Sequence, residues 1–257
     1  QPFRHITKKY GRPDVVFTEF TSAEGVVHNA TRLFRDFLFD EVGFGTAAFD
    51  WNVGFDIETE LGVTLPVKDQ GNSFSCGGQA WGTYAAVLEA AFTGTHEERS
   101  AKFLYAQTYQ KGGGSTGRDN ANVFINQGVS REVVLPSYES GSTPSETFIT
   151  RGQDITETSR NDALFSRGIS YSQVGANIND IARALRDNTG VVLGVNGQNN
   201  GTWSSAFPAV PTNTEWRHWV YAGKAKRING KRHIGILNSW GKAVGENGWQ
   251  WLSDTLL

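Results

Sequence analysis

The only cysteine of the 257-residue chain, Cys76, lies in the stretch VKDQGNSFSCGGQAWG, six residues after Gln70. A loop rich in Gly and Ser gives way here to the apolar pattern AWGTYAAVLEAAF, so Cys76 falls in the first turn of a predicted helix. A thiol is a useful nucleophile only as a thiolate, and a helix N-terminus and a neighbouring imidazolium both lower the pKa of a thiol. Gln70 can supply a side-chain N–H to a developing oxyanion, beside the backbone N–H of Cys76. This spacing indicates nucleophilic catalysis.

The two glycines after the cysteine, Gly77 and Gly78, are poor helix formers. We expect them to leave space for a substrate backbone to approach the sulfur of Cys76. The alternative is that Cys76 is structural, as a lone cysteine usually is. A histidine placed beside Cys76 would favour the catalytic interpretation over the structural one, because imidazole commonly activates a catalytic thiol.

Two of the five histidines lie on the strands of one predicted hairpin, and the other three are His5, His28 and His96. The Asn-Gly pair at 229–230 is the strongest hairpin signal in the sequence. His218 opens the first strand in EWRHWVYAG, and Asn238 closes the returning strand in HIGILNSWG. His233 lies within the returning strand, two residues before a glycine, which favours a structural role for it.

The register of this hairpin decides whether His218 and Asn238 can meet. An ideal two-residue turn pairs position 228 with 231, so position 218 faces 241 and Asn238 lies three residues away from it. A bulge or a longer loop is needed to close that gap. Spacing alone indicates the pair without establishing it.

The elements that must position these residues change character along the chain. Apolar residues recur at helical spacing mainly in the first half, which predicts helices over 26–39, from Cys76 to the residue before Gly94, over 100–110 and over 118–129, with a further helix over 178–188. Residues 140–162 are rich in Ser, Thr and Gly and predict a surface loop. Short β-type segments predict strands at 15–20, 190–196, 218–228, 231–240 and 248–253.

This arrangement predicts an α+β fold with a helical N-terminal lobe, a mainly antiparallel β C-terminal lobe and a cleft between them. We place the helical lobe at about 67–135, the β lobe at about 165–257 and a separate N-terminal segment at 1–48.

Composition limits the class of protein. A net charge of −2 and a pI near 6.2 argue against a nucleic-acid partner, and no apolar run is long enough to cross a bilayer. One cysteine excludes a disulfide within the chain and a zinc site built from cysteines. We expect no metal, no other cofactor and a monomer; the cysteine count leaves the compartment undetermined, and a secreted or extracytoplasmic location is favoured over a cytoplasmic one.

Three ordered motifs carry a resemblance to the papain-like cysteine peptidases, in their prokaryotic form: PVKDQGNSFSC, RHWVYAG and NSWGKAVGENGW. The segment FDW at 49–51 resembles the start of the mature enzyme, so the resemblance covers most of residues 49–257. It implies a two-lobe papain-like fold with the active site in the cleft, and peptide or protein substrates.

The resemblance also implies roles for matching residues. Cys76 attacks the scissile carbonyl and forms a thioester, and His218 is its ion-pair partner. Asn238 orients the imidazole, Trp240 shields their hydrogen bond from water, and Gln70 completes the oxyanion hole. By the same resemblance, Gly114 and Ser115 in GGGSTG bind the substrate backbone near the pocket for its second residue.

The sequence departs from the family at several points. Gly77 stands where the family usually has a Trp after the nucleophile. Ser73 lies near the position of a disulfide cysteine that is absent here, and Trp219 stands where relatives commonly have a small residue after the histidine. A catalytically silent peptide-binding relative and a thioester-forming acyltransferase or transpeptidase are the alternative functions.

Two segments admit other interpretations. GGGSTG also matches the dinucleotide fingerprint, which requires a preceding strand that the sequence does not predict. Residues 1–48 are either a short pro-segment that inhibits the enzyme or a surface extension, and PDVVFTEFTSAEGV resembles a short piece of a flavin-dependent dihydrouridine synthase whose remaining barrel is missing.

Overall fold

The computed structural model describes residues 47–142, 144–168 and 170–257, together with the backbone of two short strands at 15–17 and 37–38. Its helices are α1 (Ile57–Leu61), α2 (Cys76–Thr93), α3 (Ala101–Thr108), α4 (Gly117–Gln127), α5 (Glu146–Ile149), α6 (Glu157–Ala163) and α7 (Ile178–Asn188). Short 3₁₀ turns lie at Gly152–Asp154 and Thr202–Ser204. The predicted helices that correspond to α2, α3, α4 and α7 are confirmed.

Short polar side chains and one glycine set the helix ends. The Ser100 hydroxyl accepts a hydrogen bond from the Phe103 N–H at the start of α3, and the Thr116 hydroxyl accepts one from the Asp119 N–H at the start of α4. Gly94 ends α2 with φ 76°, a left-handed conformation that glycine adopts without steric cost. Local sequence therefore fixes where the helix that carries Cys76 ends.

The prediction of a surface loop over 140–162 is wrong. This segment holds α5, a 3₁₀ turn and most of α6. Ser145 and Thr156, which read as loop residues, are the N-caps of the two helices and accept hydrogen bonds from the Phe148 and Ser159 N–H groups. Because Ser and Thr favour both loops and caps, their abundance did not distinguish the two.

The strands are β1 (Val15–Phe17), β2 (Phe37–Leu38), β3 (Phe55–Asp56), β4 (Tyr171–Gln173), β5 (Val191–Gly197), β6 (Trp216–Ile228), β7 (Lys231–Leu237) and β8 (Trp249–Ser253). They form one sheet in the order β2-β4-β1-β5-β6-β7-β8, with β3 paired to β6. Strands β5 to β8 are antiparallel, as predicted. The strand predicted at 15–20 is present as β1.

The other edge of the sheet is parallel. Strand β1 pairs with both β4 and β5, and β2 pairs with β4, all in parallel. Part of the segment 1–48 therefore lies between two strands of the sheet. Strand β2 falls at the end of the helix predicted over 26–39, so that prediction is wrong at Phe37–Leu38, and its remainder lies outside the described residues.

Helix α2 is the central element of the core. Trp81 and Tyr84 on α2 are fully buried and pack edge-on against each other and against Phe124 of α4. The ring centroid of Tyr84 also lies 6.4 Å from that of Tyr221 on β6. Burying an aromatic side chain of this size stabilises the fold by roughly 2 kcal/mol or more. These rings therefore fix the start of α2 relative to the start of β6.

Candidate active site

Cys76 is the first residue of α2 and is 6% exposed. The glycines that follow it allow neighbouring elements to approach closely. A Cβ on Gly78 would lie 2.6 Å from the carbonyl oxygen of Ala101 on α3, and a Cβ on Gly77 would meet the Ser115 hydroxyl and the Trp219 ring. The protein itself fills the space beside both glycines, which corrects the expectation that they leave it open to a substrate.

Two effects act in opposite directions on the Cys76 thiol. Hydrogen bonds from the backbone of Trp219 and Gly77 favour the thiolate, as does the start of α2. Burial disfavours the charged form and is the larger effect, so it raises the pKa of Cys76 from 9.0 to about 11. The thiol is therefore neutral near pH 7 in this structure, and the backbone of Trp219 places the start of β6 beside the sulfur.

A β-bulge brings His218 and Asn238 to the same face of the β6–β7 hairpin. Ile228 pairs with Lys231 and Lys224 with Gly235, but Ala222 pairs with Ile236, so one extra residue enters β6 at Gly223. Beyond the bulge, Asn238 lies on the face of β6 that bears positions 218 and 220. Without the bulge it would lie on the opposite face, because side chains alternate along a strand.

His218 is 3% exposed, and its Nε2 lies 2.9 Å from Asn238 Oδ1. The Trp240 ring stacks on the imidazole at 4.5 Å between centroids, with 25° between the ring planes. Burial lowers the pKa of His218 from 6.5 to about 4, although the hydrogen bond with Asn238 opposes this shift. The structure thus brings together three residues that the sequence analysis singled out: His218, Asn238 and Trp240.

Asn238 is held by a further buried amide that sequence reasoning missed. Asn238 Nδ2 donates to Gln250 Oε1 at 2.7 Å, and Gln250 is fully buried on β8. Gln250 Nε2 in turn donates to the backbone carbonyls of Trp203 and Ser205 at 2.9 and 2.8 Å. The available signal was a glutamine between two tryptophans in a predicted strand.

Gln70 connects the loop before Cys76 to the segment after Asn238. Its backbone N–H donates to the Ser239 carbonyl, and its Oε1 accepts from the Ser239 hydroxyl at 2.7 Å. Its Nε2 donates to the Ser73 carbonyl at 2.8 Å, which uses one of the two N–H bonds of a primary amide. Gln70 is therefore oriented by contacts with the segment before Cys76 and with the segment after Asn238.

The loop with Gly114 and Ser115 lies beside the start of α2. The Gly114 N–H donates to Tyr105 Oη, and its carbonyl accepts from the Gln110 N–H, so both backbone groups of Gly114 are used within the protein. The Ser115 carbonyl accepts from the Trp219 indole at 3.0 Å. The indole of Trp219, the residue after His218, therefore connects this loop to β6.

Glu146 of α5 links this loop to the residues before Cys76. Its carboxylate accepts from Tyr105 Oη at 2.7 Å and from the Phe74 N–H at 2.8 Å. The buried Tyr105 hydroxyl, with Glu146 beside it, has its pKa raised well above the ordinary value and remains protonated. A helix in the segment predicted to be loop therefore supports the candidate site.

An aromatic cavity lies beside Trp240, the residue that stacks on the imidazole. It has a volume of about 450 Å³ and is lined by Trp203, Trp216 and Trp240 with Gln198, Asn199, Gly201, Ser204 and Val244. The ring centroid of Trp216 lies 5.6 Å from that of Trp240, which covers His218. A ligand in this cavity would contact the same tryptophan that shields the His218 ring.

Within the described ranges, no group of three or more His, Cys, Asp or Glu side chains is placed to hold a metal ion. The helices of this same part of the chain include none that is both long and apolar enough to cross a membrane.

Comparisons with known proteins identify the fold. No protein-family model matches the sequence, and no curated protein matches it. The structure of xylellain, a cysteine protease from Xylella fastidiosa, is similar with a TM-score of 0.68 and 21% sequence identity. The match covers 95% of this chain and 90% of the xylellain chain. Digestive procathepsin L 3 of Tenebrio molitor larval midgut matches 99% of this chain and 74% of its own, with a TM-score of 0.65 and 15% identity.

A third structure, procathepsin B S9 from Trypanosoma congolense, matches 80% of this chain and 73% of its own with a TM-score of 0.65 and 16% identity. The chain therefore has the fold of the papain-like cysteine proteases, with helices and a curled antiparallel sheet, as the sequence motifs predicted.

Proposed function

We propose that the chain is a cysteine peptidase that hydrolyses peptide bonds through a thioester on Cys76. The observation that carries the proposal is the 2.9 Å contact between His218 Nε2 and Asn238 Oδ1, directly beside the backbone of Trp219 that reaches Cys76. The ring is held through Nε2, which leaves Nδ1 to exchange a proton with the thiol. The papain-like fold supports the same reaction class.

The reaction proceeds in two halves. As Cys76 Sγ forms a bond to the scissile carbonyl carbon, its proton moves to His218 Nδ1, and the carbonyl oxygen becomes an oxyanion. The backbone N–H of Cys76 and the remaining N–H of Gln70 Nε2 stabilise that oxyanion. The C–N bond then breaks, and His218 gives its proton to the leaving amine. In the second half His218 takes a proton from water as the water oxygen bonds to the thioester carbonyl carbon; the C–S bond then breaks, the acid is released and the proton returns from His218 to Cys76 Sγ.

Burial favours the neutral form of both the Cys76 thiol and the His218 imidazole, whereas the resemblance implied a thiolate–imidazolium pair. Burial raises the pKa of Cys76 to about 11 and lowers that of His218 to about 4, so between these values the pair holds one proton, on sulfur. Moving that proton to the imidazole changes no net charge, so bulk pH does not control the transfer in this range. We therefore assign His218 the role of a general base that acts as the thiol attacks.

The aromatic cavity suggests where the leaving part of the substrate binds. It lies on the Trp240 side of the imidazole, where His218 must protonate the departing amine. Three indole rings form an apolar wall, and the amides of Gln198 and Asn199 lie at the cavity. We assign to this cavity the substrate residue that follows the scissile bond, with a preference for a large apolar side chain.

Irreversible labelling tests the proposal. The purified chain is treated with a broad epoxide inhibitor of cysteine peptidases and examined by intact mass and peptide mapping, with Cys76→Ser as the control. One adduct on Cys76 that is lost in His218→Ala, together with cleavage of a peptide library, is expected. No adduct and no cleavage would favour the peptide-binding alternative, and product transfer to an added amine in place of hydrolysis would favour the acyltransferase.

We also propose that the N-terminal segment inhibits the enzyme while it is attached. Similar structures include proforms, and β1 lies within the sheet that carries His218. A specific protease site inserted before the exposed Ala47 allows the segment to be cut without deleting β1. The rate of Cys76 labelling is expected to rise after cleavage, and equal rates before and after would contradict inhibition.

A further inference from the structure

Gln250 occupies an unusual place for an amide. It is fully buried near the start of β8, between Trp249 and Trp251, and its side chain forms hydrogen bonds with Asn238, Trp203 and Ser205. Burying an amide without partners is costly, so this side chain is stable there only with its bonds made. In each of these hydrogen bonds it is also fixed which atom donates and which accepts.

That direction can be followed from backbone to imidazole. The carbonyls of Trp203 and Ser205 can only accept, so the atom of Gln250 that faces them must be Nε2. Gln250 Oε1 therefore faces Asn238, whose Nδ2 must donate to it at 2.7 Å. Asn238 Oδ1 then faces His218 at 2.9 Å and can only accept. The ring nitrogen at that contact must carry the proton.

We propose that Gln250 is a positioning residue that holds His218 in the tautomer protonated on Nε2, by preventing the Asn238 amide from turning over. The effect of Gln250 on turnover rests on the proposed peptidase function. Its effect on the tautomer does not, because it follows from the direction of the hydrogen bonds.

The tautomer decides whether His218 can act as a base toward the thiol. With the proton on Nε2, the neutral ring presents the lone pair of Nδ1. If the Asn238 amide turns over, its Nδ2 faces Nε2, which must then accept, and the proton of the neutral ring moves to Nδ1. Such a ring has no lone pair for the proton of Cys76, so the population in this state is inactive.

Nitrogen NMR of the imidazole tests the proposal without reference to activity. Full-length Cys76→Ala protein is labelled with ¹⁵N-histidine at pH 7, and the His218 signals are assigned by their loss in His218→Asn. We expect Nε2 to resonate as a protonated and Nδ1 as an unprotonated ring nitrogen. In Gln250→Leu the two signals should move toward each other, because both tautomers are then populated.

Two further variants separate positioning from general destabilisation. Gln250→Glu keeps an acceptor for Asn238 Nδ2 but places a carboxyl group against two carbonyls, so it should lower the melting temperature and retain the Nε2–H tautomer. Leu252→Ala removes a fully buried neighbour on β8 and should also lower the melting temperature without changing the tautomer. An unchanged Nε2–H signature in folded Gln250→Leu, or an equal change in Leu252→Ala, overturns the proposal.

A double-mutant cycle measures the consequence for catalysis. Gln250→Leu should lower kcat about tenfold with little change in KM, because it depletes the active tautomer without altering the substrate cleft. In an Asn238→Ala background the same substitution should have no further effect, since the amide that it orients is gone. Additive losses overturn the positioning role. If the unmodified chain shows no peptidase activity, the proposed function fails while the NMR result still decides the tautomer.

Discussion

The two sides of the candidate site are held by different means. Cys76 is placed by the backbone: it begins a helix whose next two residues are glycines packed against α3, Ser115 and Trp219. His218 is placed by side chains: a stacked tryptophan and a series of two buried amides that ends on backbone carbonyls. The thiol side is therefore sensitive to added volume, and the imidazole side to lost hydrogen bonds.

The largest effect is expected on the imidazole side. His218→Ala removes the base and the proton donor of the proposed reaction, so kcat/KM should fall about 10⁴-fold or more. Steady-state hydrolysis of a fluorogenic peptide measures this, and circular dichroism checks that the fold is retained. Loss of only a few-fold would show that another group takes the proton.

Gln70 lies between the two sides and should have the next largest effect. Gln70→Ala removes one oxyanion donor, so kcat should fall about 100-fold, within the range for such donors. Gln70→Glu is the matched control, since it keeps the acceptor for the Ser239 hydroxyl but lacks the N–H. If Gln70→Glu is as active as the wild type, Gln70 only joins the two segments.

The buried imidazole predicts acid lability. Its pKa is about 4 in the folded chain and 6.5 when unperturbed, so between these values the unfolded chain binds a proton that the folded chain does not. Lowering the pH from 6.5 to 4 therefore removes about 3 kcal/mol of stability through this group. Urea unfolding of wild type and His218→Ala across this range should give curves that converge toward low pH, and parallel curves would contradict the assignment.

A substitution on the thiol side should have the smallest effect, and the effect is on the stability of the fold. Gly78→Ala places a Cβ 2.6 Å from the Ala101 carbonyl oxygen, so α2 and α3 must separate. Overpacking of this kind costs about 2 kcal/mol of unfolding free energy. Gly152→Ala is the control, because a Cβ at this position would meet only the Ala106 carbonyl oxygen at 3.8 Å, an ordinary contact. An unchanged melting temperature in Gly78→Ala would show that the interface gives way easily.

The sequence predicted the candidate catalytic residues and their order better than the contacts that hold them in place. Three short motifs marked Cys76, His218 and Asn238, and their catalytic roles stay predictions that the experiments above test. The hairpin turn at 229–230 was also predicted, together with the need for a bulge or a longer loop. The position of that bulge at Gly223 was not, because a glycine within a strand marks a close approach as readily as an extra residue.

Gln250 and Glu146 show what local pattern could not provide. Each connects elements far apart in sequence, and neither has a neighbour in the chain that reveals its partner. The same holds for Gly77 and Gly78: the space that a side chain would occupy at these positions is taken by residues of α3, β6 and the loop at Ser115. Spacing predicts what lies on one element, whereas these contacts depend on how the elements pack.

Strand β1 has a consequence for how the chain is made. Phe17 pairs with Val192, so β1 leaves the ribosome well before its partner strand β5 exists. Closing so long a loop is slow, and the unpaired edge is exposed to other chains meanwhile. Synthesis from the N-terminus therefore completes this sheet late, after the helices around Cys76 can already have formed.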